Sequence, residues 1–170
     1  YLNETIQHER GLEIRTNNEG DRFIFSKDIN LIVKKSYDSI PKVKIIKKAH
    51  ATNQLKAIVK AKAIEYNLDL SKKHLYLDSF FTANLNEKHA QQKLEIHLYM
   101  PENMILFADK NTQSFHLNPN WKNDLLHAGE EEKYLKLIDN QLICINCNEN
   151  TTQLKNNSSN TDTISKNKNH

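Results

Sequence analysis

The side chains best suited to chemistry are one cysteine pair and two sets of ionisable residues on alternating segments. Cys144-Ile145-Asn146-Cys147 spaces two thiols as in half of a zinc site or in a redox pair. Zinc would need two further ligands, and His116 or His127 could supply them only if the fold brought them close. A thioredoxin-like pair sits at a helix N-terminus, where the dipole lowers a thiol pKa, whereas this pair follows an apolar strand pattern. A structural or incidental role, a disulfide or redox role and a metal role therefore stay open. Glu95 and His97 alternate with apolar neighbours, as do His74, Tyr76 and Asp78. Were the two strands adjacent, two histidines and two carboxylates would meet as a metal or acid–base site requires. The plainer expectation for both sets is a solvated strand face.

Other chemistries find no footing. The histidines are scattered without a His-Glu-x-x-His pattern, and no serine sits in a Gly-x-Ser-x-Gly elbow. With three glycines and no glycine-rich loop, phosphate cradling is not expected. Lysines occur singly or in pairs and the net charge is +3, without the basic, aromatic-interleaved stripe of a nucleic-acid binder. No catalytic residue, cofactor or small-molecule substrate is expected from these patterns.

The elements that would hold these residues read as short strands. The centre is Lys93–Glu102, where Leu94, Ile96, Leu98 and Met100 alternate with Glu95, His97 and Tyr99 until Pro101 removes a ladder donor. Met104–Asp109 resumes after the turn. Earlier, Leu12–Arg15 and Arg22–Phe25 flank the turn-forming Asn17–Asp21, and Ile29–Val33 and Val43–Ala49 follow. His74–Asp78 alternates with Leu75 and Leu77 inward, extended or ended by Ser79-Phe80-Phe81. Lys133–Ile138 and Gln141–Ile145 flank Asp139-Asn140, a two-residue hairpin signal, because both residues tolerate positive φ.

One helix interrupts the strands at about 53–66. Leu55, Ile58, Val59, Ala63 and Tyr66 recur at helical spacing and Thr52 or Asn53 can cap its start. Burying this face against the β core would contribute on the order of 1.5 to 3 kcal/mol per large side chain before entropy. Residues 84–92 read as an exposed connection. Phe115, Leu117 and Trp121, around Pro119, read as a cover for an open edge of the core. After Cys147 the composition falls to Asn, Thr, Ser and Lys, so one β-rich domain over 1–147 and a disordered polar tail over 148–170 are expected.

In order, the Ala- and Lys-rich helix, Leu75-Tyr76-Leu77-Asp78-Ser79-Phe80-Phe81, Gln91–Ile96, Leu98-Tyr99-Met100-Pro101-Glu102 and Asp109-Lys110-Asn111-Thr112 resemble the C-terminal domain of PspC-domain proteins of Bacteroidetes, over about 40–147. The most specific piece is Leu98-Tyr99-Met100-Pro101-Glu102, where the family tends to continue with Gly and this chain has Asn103. The resemblance implies a mainly β, toast-rack-like stack of short strands in two layers with the helix packed on it. Leu98, Tyr99, Pro101 and Glu102 would be structural. It implies no catalytic residue. It also implies that a Cys-x-x-Cys ending has a shared role in the family. The full-length protein would carry a PspC domain and membrane spans upstream of Tyr1. The function implied is a soluble interaction or sensor domain of an inner-membrane, envelope-stress (phage shock) protein, contacting a protein partner and tied to the membrane through segments outside this chain. An adhesin-like β module of the auto-transporter type is the alternative, which exposed aromatics on a flat β face would favour.

Overall fold

The computed structural model describes residues 7–9, 12–84, 91–116 and 124–147, of which 7–9 and 12 are described by backbone course alone. Most of the 84–92 connection, Leu117, Pro119, Trp121 and the tail 148–170 lie outside the described residues. The strands are β1 (Gln7–Glu9), β2 (Leu12–Thr16), β3 (Arg22–Ser26), β4 (Ile29–Lys35) and β5 (Lys42–Ala49). The helix α1 (Gln54–Lys62) leads to β6 (Ile64–Glu65), β7 (Leu68–Ser71), β8 (His74–Leu77) and β9 (Phe81–Asn84). Then come β10 (Gln92–Met100), β11 (Ile105–Phe107), a 3-10 helix at Lys110–Phe115, β12 (Tyr134–Ile138) and β13 (Gln141–Cys144). The mainly β, toast-rack-like architecture is as expected, with its strands divided among four small sheets. Their orders are β1-β2-β3-β9-β6, β4-β10-β5, β11-β12-β13 and β7-β8.

Local chemistry accounts for the turns. Asn17 Oδ1 accepts from the backbone N–H of Glu19 and Asp21 at 3.0 and 2.8 Å, fixing the β2–β3 connection with Gly20 at φ 87°. Asp139 and Asn140 stand at φ 48° and 64° between β12 and β13, the left-handed pair a two-residue hairpin needs.

β10 runs parallel to β4 and antiparallel to β5. Its register puts Leu94, Ile96 and Leu98 on one face with Ile29, Leu31 and Val33 of β4 and with Val43 and Ile45 of β5. That face meets Ile24, Ile64, Phe81 and Ala83 from the five-stranded sheet and Leu135 and Leu137 from β12 in one apolar core. Both faces of β10 are buried, however. Glu95 is 2% and His97 6% exposed, so the expectation of a solvated face for this pair is corrected.

The helix also differs from its sequence reading. Asn53 caps it, accepting from Lys56 N–H at 2.9 Å, but it ends at Lys62 because Ile64 is drawn into pairing with Ala83 of β9 and is buried there. No α1 residue is buried: Leu55 is 77%, Ile58 43% and Val59 65% exposed. The helix rests on β5 through its other side, where Ala57 and Ala61 are half-buried and the Lys60 carbonyl accepts from Gln92 Nε2 at 2.8 Å. Small alanines permit close approach, and that choice turns the larger apolar residues outward.

Candidate functional site

The run Leu98–Glu102 proves to be a junction between sheets. Leu98 lies in the core opposite Val33 and Val43. Tyr99 lies between Lys34 and Lys42, its ring 6.2 Å from that of His97. At the strand's end the Met100 carbonyl accepts from Ser36 N–H at 2.6 Å, and the Pro101 carbonyl accepts from Met104 N–H at 3.3 Å. Asn103 takes φ 66° in place of a glycine and donates its N–H to the Leu137 carbonyl at 2.9 Å. Glu102 spans the gap. It pairs with Lys35 Nζ at 2.6 Å and accepts from Asp139 N–H at 2.7 Å, tying the ends of β4 and β10 to the β12–β13 hairpin. The Lys35 hydrogen bond holds the Glu102 carboxyl below its ordinary value, and Glu102 in turn raises Lys35. A shallow groove beside this junction is lined by Tyr37, Asp38, Pro101 and Ile138.

On the second face of β10, Glu95 lies opposite Asn30 of β4 and Ile46 of β5. Lys48 reaches it diagonally, Nζ to Oε1 at 2.6 Å, and His97 Nε2–H donates to its Oε2 at 3.2 Å. Burial pushes the His97 imidazole down, against the pull of Glu95, so its neutral form is favoured. Asn30 Nδ2 is buried without a hydrogen-bond partner. His74 and Asp78 do not join this group, because β8 pairs with β7 in a separate hairpin and is no neighbour of β10. His74 instead stacks near Tyr76, with ring centroids 6.0 Å apart on an exposed strand face. Among the described residues no group of three or more His, Cys, Asp or Glu is arranged to hold a metal ion.

Cys144 and Cys147 are joined in a disulfide that closes the end of β13. Of the three roles left open for the pair, this is the disulfide, and with both sulfurs in that bond neither is a thiolate ligand. His116 and His127 are engaged elsewhere: His116 Nδ1–H donates to Glu131 Oε1 at 2.7 Å and His127 Nε2–H to the Asp124 carbonyl at 3.1 Å.

That neighbourhood contains the residues sequence reasoning missed. Glu131 is buried, and its carboxylate also accepts from Gly129 N–H at 3.0 and 3.2 Å. Burial opposes its charge, but these backbone donors and His116 together hold it below the ordinary carboxylate range. Asp124 Oδ1 accepts from Val33 N–H at 2.7 Å and Leu126 N–H at 3.2 Å, while Leu125 N–H donates to the Val33 carbonyl at 2.9 Å. Residues 124–126 thereby cover the free edge of β4. An edge cover was expected from Phe115, Leu117 and Trp121; Phe115 is buried in the core, and the 3-10 helix that carries it packs against β4. Asp124 Oδ2 is buried without a partner, and burial pushes this carboxyl up despite its two backbone donors. The available signal was an acid directly before Leu125-Leu126 in a segment otherwise polar.

Most of these buried charges are bound to backbone or to one another. The feature directed outward is apolar. On the outer face of β11-β12-β13, Ile105, Phe107, Tyr134 and Ile143 are exposed together, with Phe107 and Tyr134 opposite each other and their rings 4.9 Å apart. Ile145, whose N–H donates to the Tyr134 carbonyl, extends this face beside the disulfide.

A family model described as "ToastRack found in some PspC" matches residues 15–150. Neither a curated protein nor a solved structure matches the chain. Among the described residues no helix is long and apolar enough to cross a membrane.

Proposed function

The chain belongs to the ToastRack domain family found in some PspC proteins, and from that premise we propose that it is a non-catalytic interaction or sensor domain of a membrane-anchored envelope-stress protein. The observation that carries the reading is the largely apolar outer face of β11-β12-β13, where Ile105, Phe107, Tyr134 and Ile143 are exposed around Lys136. Such a patch is costly to leave in water and is the usual mark of a binding surface. Aromatic side chains suit it to protein contact, since they bury large area at low entropy cost. The non-catalytic reading is supported by the buried ionisable groups: Glu95, Glu131 and Asp124 accept from backbone donors or ion-pair partners and brace strands or the connection before β12.

A photo-crosslinking residue at Tyr134 in the full-length protein tests the reading in cells. A defined protein adduct that Phe107→Asp abolishes is the expected result, with the protein recovered in the membrane fraction. Absence of any protein adduct would sink it. The second reading, an adhesin-like module, is favoured by the same Phe107–Tyr134 pair, because exposed aromatics on a sheet face also suit sugar rings. Binding to immobilised glycans, lost on Phe107→Asp with no protein adduct in cells, would put that reading first.

A further inference from the structure

The described residues present a second apolar feature, unlike the first in shape and charge. α1 stands proud of β5, and Leu55, Ile58 and Val59 form a convex ridge along its outer side. The arc is flanked by Lys56 and closed at its C-terminal end by Lys62, and the helix contains no acidic residue. The surrounding chain has the same sign. Residues 39–64 contain seven of the 24 Lys and Arg and none of the 21 Asp and Glu, so the rest of the chain is net negative. Two of the seven, Lys42 and Lys48, are ion-paired with Asp38 and Glu95.

We propose that α1 docks the domain onto an anionic lipid bilayer, lying in the plane of the interface with Leu55, Ile58 and Val59 inserted among the acyl chains and Lys56 and Lys62 at the lipid phosphates. The ridge is convex, with Lys56 along one flank, Lys62 at its end and no acidic residue in the helix, which suits a planar anionic surface; a helix seated in a protein groove would be covered on both flanks. Lysine stems reach from an apolar face to a charged surface without burying the ammonium. A helix of nine residues is only about 13 Å long, so the contact is weak and reversible and would orient a domain that is tethered by other means. The proposal does not rest on the protein-contact face of β11-β12-β13.

Flotation of the 170-residue chain with vesicles of phosphatidylcholine alone, and of phosphatidylcholine mixed with phosphatidylglycerol, tests this directly. Binding to the anionic vesicles only is expected, falling as salt is raised. The double variants Leu55→Gln/Val59→Gln and Lys56→Gln/Lys62→Gln should each weaken it at least about tenfold with unchanged circular dichroism, because all four side chains are exposed. An Ile58→Trp variant should show blue-shifted emission quenched by brominated lipid, beyond what the parent chain with Trp121 shows. No binding to anionic vesicles overturns the proposal and returns the ridge to a protein partner. Binding that both double variants retain also overturns it, since another surface would then be responsible.

Discussion

Asp124 braces an edge at the cost of its own charge. Its Oδ1 serves two backbone donors while Oδ2 lies buried and unpartnered, and burial raises its pKa. An Asp124→Ala substitution leaves Val33 N–H without its acceptor and should lower unfolding free energy by about 1–3 kcal/mol. Asp124→Asn keeps the acceptor and removes the charge, so at neutral pH it should equal or exceed the parent in urea midpoint. The sign follows from the raised folded value: the stabilising contribution is present below the unfolded pKa and is lost as pH rises through the folded one. His97 acts oppositely on acidification. Its folded pKa lies below the ordinary 6.5, so between the two values the unfolded chain binds more protons and stability falls with falling pH. His97→Gln should flatten that limb of the midpoint-against-pH curve below about pH 6.5. An unchanged slope would assign the limb to other groups, such as Glu131, whose lowered pKa makes its contribution vanish at more acidic pH.

At the scale of elements, the hairpin and the helix make contrasting predictions. The β12–β13 turn holds Asn140 at φ 64°, so Asn140→Gly should be neutral or slightly stabilising, whereas a β-branched Asn140→Val should destabilise by about 1–2 kcal/mol. In α1 the three large apolar side chains are outside the core, so Leu55→Gln/Val59→Gln should move stability by no more than about 0.5 kcal/mol per site. Ile96→Ala, fully buried in β10, should cost about 2–5 kcal/mol. Urea unfolding of the double variant beside Ile96→Ala checks the inversion of the helix: were its ridge in the core, the two would rank together.

For the whole molecule, the core joins three sheets through β10 and β12, and the Glu102–Lys35–Asp139 junction fastens the ends of two of them. The disulfide lies at the edge of that core, with Cys144 packed against it and Cys147 exposed, and it closes only three residues of separation at the end of β13. Short loops restrict the unfolded chain little, so reduction should lower stability by at most about 2 kcal/mol and leave the fold intact. Thermal unfolding with and without reductant measures this, and a loss of the β signal on reduction would contradict it. The matched family span begins at residue 15, so the end of β2 and all of β3 and β4 lie within it, upstream of the segment whose motifs resemble the family.

The sequence by itself determined the strands whose alternation is strong, a helix cap at Thr52 or Asn53, the Asp139-Asn140 turn and the Pro101 break, because each rests on propensities of adjacent residues. It also determined the family, through the order of elements around Leu98–Glu102. The tertiary structure alone decided three other things. Glu95 and His97 are buried because β10 is flanked by β4 and β5 and both its faces are closed off, which one strand's alternation cannot reveal. His74 and Asp78 are kept apart from them because strand order is a non-local choice. The helix exposes its leucine, isoleucine and valine because alanines fit closest to β5 and Ile64 is claimed by β9. In each case residues distant in sequence compete for the same space, and the outcome is set by which contacts pack best together.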